Sequence, residues 1–121
     1  MILVDTSIWI DHLRAGNLLL TTLLETGMVY CHPFVIGELA CGSLGNRNEI
    51  LSLLQALPQL PVASIDETLF FIDQQRLMGR GIGYIDTHLL ASATIHVVRL
   101  WTRDKRLKSV ADHMGLSYHP V

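Results

Sequence analysis

The sequence predicts an α/β fold in which helices cover both faces of a mainly parallel sheet. Short apolar stretches of strand length alternate with segments of helical length along the 121 residues. Glycines follow several of the helical segments, and Pro33 stands where a first helical residue is favoured. The length suits one domain with a substantial core, so we assign residues 1–121 to a single domain.

Two strands and four helices are predicted in the first half of the chain. Gly16 and Gly27 each end a helix, and Pro58 ends a third. In order, we expect a strand at 2–4, helices at 7–14 and 18–26, a strand at 28–31, a helix at 33–40, and a helix from Asn46 or Asn48 to Pro58.

The second half continues the alternation. Gly79 and Gly81 close one helix, and Gly115 stops the last one. In order, we expect a short strand at 60–65, helices at 66–78 and 86–95, a strand at 97–102, a helix at 105–113, and an edge strand at 116–119.

The composition is unusually apolar, with 50% hydrophobic residues and positive mean hydropathy. The longest uncharged run, Ile50 to Ile65, contains two prolines and is too short to span a bilayer. There is no signal-peptide pattern, so we expect a cytoplasmic protein. The excess indicates a surface for self-association or for a protein partner. Two leucine-rich helices are the candidates for it, at 18–24 and 50–57, and we predict a homodimer.

Cys31 and Cys41 are the only cysteines, and the cytoplasmic expectation favours two reduced, largely buried thiols over a disulfide. Neither C-x-x-C nor H-x-x-x-H spacing supports a zinc site built from them and His32.

Four acids occupy notable places in this pattern. Asp5 and Asp104 each follow a predicted strand, at the end where open α/β sheets bind their ligands. Glu38 lies about one turn into the helix after the second strand, and Asp86 opens a helix. Each has an ordinary explanation, because Asp5, Asp86 and Asp104 could cap helices and Glu38 could be a solvated helix residue.

Capping does not explain why four acids from separate segments should meet at one crevice. Two carboxylates about 4 Å apart repel by about 4 kcal/mol at an effective dielectric near 20, so a cluster of four needs a cation. Ligands that are all oxygens favour Mg²⁺ or Mn²⁺.

The chain resembles the PIN-domain ribonucleases, in particular the VapC-type toxins of bacterial toxin–antitoxin pairs. The resemblance covers nearly the whole length. It depends on four motifs, of which the last two are the most specific: VDTSIWI at 4–10, VIGELACG at 35–42, GIGYIDTHLLASA at 81–93 and LWTRDKRL at 100–107. One residue departs from the pattern, since the family commonly has an aromatic residue where this chain has Leu107.

The resemblance implies a three-layer α/β/α sandwich, an endoribonuclease dependent on Mg²⁺ or Mn²⁺, and a cognate antitoxin that blocks the site. It assigns the catalytic and metal-binding roles to Asp5, Glu38, Asp86 and Asp104. A carboxylate-held metal ion can lower the pKa of a bound water and neutralise charge on the scissile phosphate. Three hydroxyls are candidates to orient the carboxylates or contact phosphate: those of Thr6, Ser7 and Thr102.

Basic residues are concentrated near the last of these acids, although the formal net charge is −2. Seven of the nine Lys and Arg residues lie between Arg76 and Lys108. A helix macrodipole disfavours cations in the first turn, so RNA phosphate is one reason for their placement and solvation or local ion pairing is the other. The proposed RNA-binding residues are Arg103, Lys105, Arg106 and Lys108.

Three alternatives remain at this point. An aspartate-nucleophile phosphatase also begins with a strand ending in Asp, but it requires a second Asp where this chain has Ser7. A non-catalytic PIN-fold binding module should have lost some of the four acids, and all are present. A PIN nuclease of RNA processing is closer to this chain, whereas the short length and lack of further acids disfavour PIN nucleases that act on branched DNA.

Overall fold

The computed structural model describes residues 1–120, and within them three strands and seven helices alternate along the chain. The strands are β1 (Ile2–Val4), β2 (Val29–Tyr30) and β3 (Arg99–Trp101). The helices are α1 (Thr6–Ala15), α2 (Leu18–Glu25), α3 (Pro33–Ala40), α4 (Arg47–Ala56), α5 (Ile65–Gln75), α6 (Tyr84–His96) and α7 (Lys105–His113).

The sheet is parallel throughout, with the strand order β2-β1-β3. Leu3 in the central strand pairs with Tyr30 on one side and Leu100 on the other, and all of β1 is buried. A strand buried on both faces accounts for the unbroken apolar stretch Ile2–Val4. The two crossovers run in opposite directions across the sheet. Right-handed crossovers then place their helices on opposite faces, and the predicted α/β sandwich is confirmed.

Two predicted strands shrink to single bridges. In place of the strand predicted at 60–65 there is one parallel bridge just before that segment, between Gln59 and Cys31. Helix α5 already begins at Ile65. Ser64 and Glu67 form a reciprocal capping box there, which favours the helix. The edge strand predicted at 116–119 is likewise one bridge, between Ser117 and Leu100.

The α6–β3 boundary also differs from the prediction. Val97, predicted to start the strand, is the left-handed C-cap of α6 with φ 54°, and β3 begins only at Arg99. At its other end α6 begins at Tyr84, so Asp86 lies inside the first turn and Gly83 is the N-cap. The prediction that Asp86 opens the helix as a cap is therefore wrong.

The leucine-rich helices bury more than expected. Leu18 and Leu53 are the exposed members of the two sets, at 87% and 59% exposed. The others are buried or pack against the core, so the part of α2 and α4 that is exposed, as predicted for some of their leucines, is limited to one leucine on each helix. Exposed apolar side chains instead cluster in sequence on α5, at Ile65, Leu69 and Phe70.

Both cysteines are free thiols, as predicted, but Cys41 is exposed and only Cys31 is buried. Burial raises the pKa of the Cys31 thiol to about 11, which keeps it protonated and unreactive. Among residues 1–120, no helix has the length and apolar character needed to cross a membrane.

Candidate active site

The buried carboxylate of Asp5 lies at the carboxyl end of the central strand. Its backbone N–H donates to the carbonyl of Trp101 (2.9 Å), which continues the β1–β3 ladder by one residue. The side chain is 5% exposed. Asp5 is in the N-cap position of α1, but its side chain makes no capping hydrogen bond. The helix-cap explanation is therefore wrong for this carboxylate.

Two hydroxyls donate to the same oxygen of Asp5 instead. Oδ2 accepts from Ser7 Oγ at 2.8 Å and from Thr102 Oγ1 at 2.7 Å. Thr102 Oγ1 also accepts the backbone N–H of Asp104 at 3.0 Å. One hydroxyl thus links the carboxylate after β1 to the segment after β3, and this fixes the rotamer of Asp5 with Oδ1 free of protein hydrogen bonds in the described chain.

Asp104 does cap its helix. Its Oδ1 accepts the backbone N–H of Leu107 at 2.9 Å. An ionised carboxylate has two oxygens and about four acceptor positions, so this cap occupies one oxygen and does not preclude a second role. Leu107, the residue that departs from the family pattern, is fully buried in the core.

Glu38 is held from the neighbouring helix α1. Thr6 Oγ1 donates to Glu38 Oε1 at 2.8 Å, which joins residues 32 positions apart in the chain. Glu38 is exposed on α3, the helix that follows β2. Three of the acids therefore follow three neighbouring parallel strands, and the carboxyl ends of those strands share one edge of the sheet.

Asp86 reaches the same edge from α6, whose N-terminus lies there because the helix leads back to the start of β3. The pKa of Asp86 is raised to about 6, first by burial and then by the negative charge of Asp5. A backbone hydrogen bond at Gly83 lowers it in part, and the charges of Asp104 and Glu38 raise it further. Asp5, Asp104 and Glu38 thus lie close enough to Asp86 for their negative charges to act on its carboxyl.

The donor chemistry and the charge at this edge suit a hard divalent cation. Every candidate ligand is a carboxylate oxygen, and within residues 1–120 none of the four acids forms an ion pair with Lys, Arg or His. In the same part of the chain, no three His, Cys, Asp or Glu side chains are already close enough to form a metal site. A cation would therefore have to draw the carboxylates closer together than they lie here.

The predicted RNA-binding residues divide into paired and unpaired cations. Arg103 forms an ion pair with Asp11 on α1, a contact between residues 92 positions apart that was not predicted from the sequence. Lys105, Arg106 and Lys108 are exposed in the first turn of α7, with no ion pair within residues 1–120. Their binding to RNA stays a prediction.

A groove of about 390 Å³ opens beside Glu38, and it was not predicted from the sequence. Its walls come from α1, the end of α3 with the loop after it, and α4, and its apolar lining includes Leu13, Leu39, Leu44 and Ile50. The apolar spacing on α1 and α4 could have suggested it, but the fold of the 42–46 loop could not be read from the sequence.

An acidic crevice at the carboxyl edge of a parallel sheet, with oxygen ligands only, is typical of α/β enzymes that use divalent cations. Residues 2–113 match the PIN domain. The chain belongs to the PIN-domain family, which confirms the resemblance read from its motifs.

Curated relatives cover nearly the whole chain. Ribonuclease VapC32 from two strains of Mycobacterium tuberculosis, CDC 1551 / Oshkosh and H37Rv, is 50% identical over 118 residues, which is 97% of this chain and 95% of the relative.

Two solved structures share the fold at lower identity. FitAcB from Neisseria gonorrhoeae has a TM-score of 0.63 at 22% identity, over 93% of this chain and 94% of that one. PAE2754 from Pyrobaculum aerophilum has a TM-score of 0.63 at 17% identity, over 90% and 83%. These likenesses support the α/β architecture.

Proposed function

We propose that this chain is a metal-dependent endoribonuclease that hydrolyses RNA phosphodiester bonds and acts as the toxin of a toxin–antitoxin pair. The observation that carries the proposal is that Asp5, Glu38 and Asp104 follow three neighbouring parallel strands at one edge of the sheet, where their charges act on Asp86. The relationship to a protein named Ribonuclease VapC32 supports RNA as the substrate and an antitoxin as the partner.

Asp5, Glu38, Asp86 and Asp104 would together hold Mg²⁺ or Mn²⁺. When bound, such an ion lowers the pKa of a water ligand and offsets the charge of the scissile phosphate. The hydroxyls of Thr6, Ser7 and Thr102 orient Glu38 and Asp5, so that their oxygens face the crevice with little rotamer freedom to lose.

RNA would approach over the first turn of α7. Lys105, Arg106 and Lys108 are unpaired there within residues 1–120, next to Asp104, and cations in this position attract the phosphate backbone. Arg103 would contribute less, because its guanidinium is partly neutralised by Asp11.

The antitoxin would occupy the groove beside Glu38. The groove combines apolar walls with the exposed carboxylate, so a peptide could bury an apolar side chain and place an Arg or Lys near the acids. We also propose a homodimer, supported by the exposed apolar side chains of α5.

Two further proposals concern extent and location. Residues 1–121 would form one domain, supported by backbone hydrogen bonds of 2.8 Å that join Leu100 to Leu116 and Tyr118; the last residue, Val121, lies outside the described residues. The free thiols support the expectation of a cytoplasmic protein.

The test uses purified protein and a mixed single-stranded RNA. Cleavage should require Mg²⁺ or Mn²⁺, stop with EDTA, and be absent from Asp104→Asn purified in parallel. Cleavage that persists in EDTA, or equally in the variant, would refute the metal-dependent nuclease. The toxin role requires that expression arrest growth and that a small neighbouring protein relieve the arrest. Cleavage without toxicity would favour a PIN nuclease of RNA processing instead.

A further inference from the structure

The side chain of Arg106 lies directly against the backbone of Gly81. A Cβ placed on Gly81 would come within 2.9 Å of Arg106 Nη1, 3.1 Å of Cδ and 3.3 Å of Cζ. Side-chain carbons do not approach other atoms that closely without displacement, so the guanidinium uses space that only glycine leaves open.

The contact joins the two segments that carry Asp86 and Asp104. Gly81 is in the loop that leads into α6, five residues before Asp86, and Arg106 is in the first turn of α7, two residues after Asp104. The macrodipole of α7 disfavours a cation in that turn, and no acid within residues 1–120 pairs with Arg106. An exposed guanidinium that is unpaired within residues 1–120 and packed over Gly81 beside an acidic crevice can accept an anion from outside the chain.

We propose that Gly81 is a positioning residue that holds Arg106 for contact with a phosphate of the RNA backbone at the active-site edge. Arg suits this task because its planar fork can donate two hydrogen bonds to one phosphate. The inference deepens the proposed function and rests on it.

Gly79 offers a matched control in the same loop. Gly79 has φ 72° and Gly81 has φ 79°, so alanine is strained by the backbone at both positions. Within residues 1–120 no atom lies within 4 Å of a Cβ at Gly79, whereas Arg106 occupies that space at Gly81. The two substitutions should lower the melting temperature similarly, and only Gly81→Ala should displace Arg106.

The experiment measures binding of a fluorescein-labelled single-stranded RNA in EDTA by anisotropy, at several KCl concentrations. The variants are G79A, G81A, R106Q, R106K and the double variant G81A/R106Q. Losing one phosphate contact should lower the slope of log K against log salt by about 0.7 for single-stranded RNA.

We expect the loss of slope in R106Q, which removes the charge, and several-fold weaker binding in both R106Q and G81A but not in G79A. The double variant should bind like R106Q alone, since displacing an absent side chain has no effect. R106K should retain the slope, because the charge remains, but bind more weakly than wild type because the fork is lost.

Equal effects of G79A and G81A, or an unchanged slope in R106Q, would overturn the inference while the wild type still binds and cleaves RNA. If G81A does not fold, Gly81→Asn introduces the same Cβ in a residue that tolerates positive φ, and the same outcomes apply. A wild-type protein that neither binds nor cleaves RNA would defeat the proposed function first and this inference with it.

Discussion

Asp5 and His32 are both buried polar residues placed just after a strand, yet the electrostatic charge around them differs. The His32 ring accepts the backbone N–H of Phe34 at Nδ1 (3.0 Å), so Nε2 carries the proton and donates to Ser92 Oγ at 3.2 Å. Burial, and then the charge of His88, lowers the pKa of His32 to about 4, so the ring stays neutral at neutral pH.

Asp5 also has its hydrogen bonds, from Ser7 and Thr102, but its charge, with those of Asp104 and Glu38, raises the pKa of Asp86. Both ring nitrogens of His32 have hydrogen-bond partners in the chain. The acids near Asp86 instead carry negative charge that no cation within residues 1–120 offsets by an ion pair. The difference indicates that buried polarity alone does not identify a functional site, whereas uncompensated like charge does.

The largest expected effect is on activity. Asp5→Asn, Asp86→Asn or Asp104→Asn removes one charge about 4 Å from a bound divalent cation, worth about 4 kcal/mol per unit of cation charge at an effective dielectric near 20. One such unit already corresponds to a loss of RNA cleavage on the order of 10³-fold, so we expect at least that loss. Asp112→Asn, which removes an acid paired with His119, is the control and should cleave normally. Near wild-type rates in the three variants would make the acids structural.

Substitution of His32 should lower the stability of the protein rather than its activity. His32→Ala leaves the N-terminus of α3 uncapped and a cavity in the core, and should lower the free energy of unfolding by about 3 kcal/mol. His32→Asn, which can still cap the helix, should lose less. Urea denaturation measures the loss, and the cleavage rate per folded molecule should stay close to wild type. Lost activity at full stability would place His32 in the catalytic site.

The contributions of His32 and Asp86 to stability should also respond to pH in opposite directions in metal-free protein. His32 has a pKa near 6.5 unfolded and about 4 folded, so its contribution is present above pH 6.5 and is lost toward pH 4, at up to about 3 kcal/mol. The pKa of Asp86 is 3.8 in the unfolded chain and about 6 in the folded protein. Its contribution to stability is therefore present below pH 3.8 and is lost as pH rises through 6.

Urea denaturation in EDTA between pH 4.5 and 8 tests this difference. His32→Asn should flatten the fall in stability at low pH, and Asp86→Asn should flatten the fall at high pH. If the free energy of unfolding of either variant changes with pH as that of wild type does across the whole range, the substituted side chain does not cause the pH dependence of stability.

A smaller effect is expected from the hydroxyl that joins Asp5 to the segment of Asp104. Thr102→Val keeps the shape of the side chain and removes the hydrogen bonds of Oγ1 with Asp5, the Asp104 N–H and Ser7, so cleavage should fall tenfold to about a hundredfold. Thr94→Val, which removes a hydroxyl bonded only to the carbonyl of Leu90, is the control. Equal activity of the two variants would show that the rotamer of Asp5 does not need Thr102.

The sequence was sufficient to predict the carboxyl edge of the sheet and the acids that follow its strands. Buried parallel strands are apolar, so Asp5 and Asp104 were conspicuous immediately after them. The same rule failed at 60–65, because the segment contains Pro61, the bridge to Cys31 is made by Gln59 just before it, and the chain then enters the capping box of Ser64. The start of α6 was misplaced because Gly83 caps it through its backbone conformation, without the polar side chain that usually signals a cap.

Long-range pairings were beyond the sequence. Arg103 and Asp11 are 92 positions apart, and the contact of Arg106 with Gly81 depends on how α7 packs beside the 79–83 loop. The distribution of leucines on α2 and α4 likewise did not reveal that neighbouring elements cover most of them.

The comparison of melting temperatures of wild type and Asp86→Asn, each in EDTA and in Mg²⁺ at pH 7.5, tests the central claim most directly. Asp86 is half-buried, so we expect removal of its charge to stabilise the metal-free protein by about 1 kcal/mol, less than its full pKa shift would suggest. Mg²⁺ should then stabilise wild type strongly and the variant little, reversing their order. A variant that is less stable than wild type in EDTA and gains equally from Mg²⁺ would contradict the account of an uncompensated acidic edge that binds a cation.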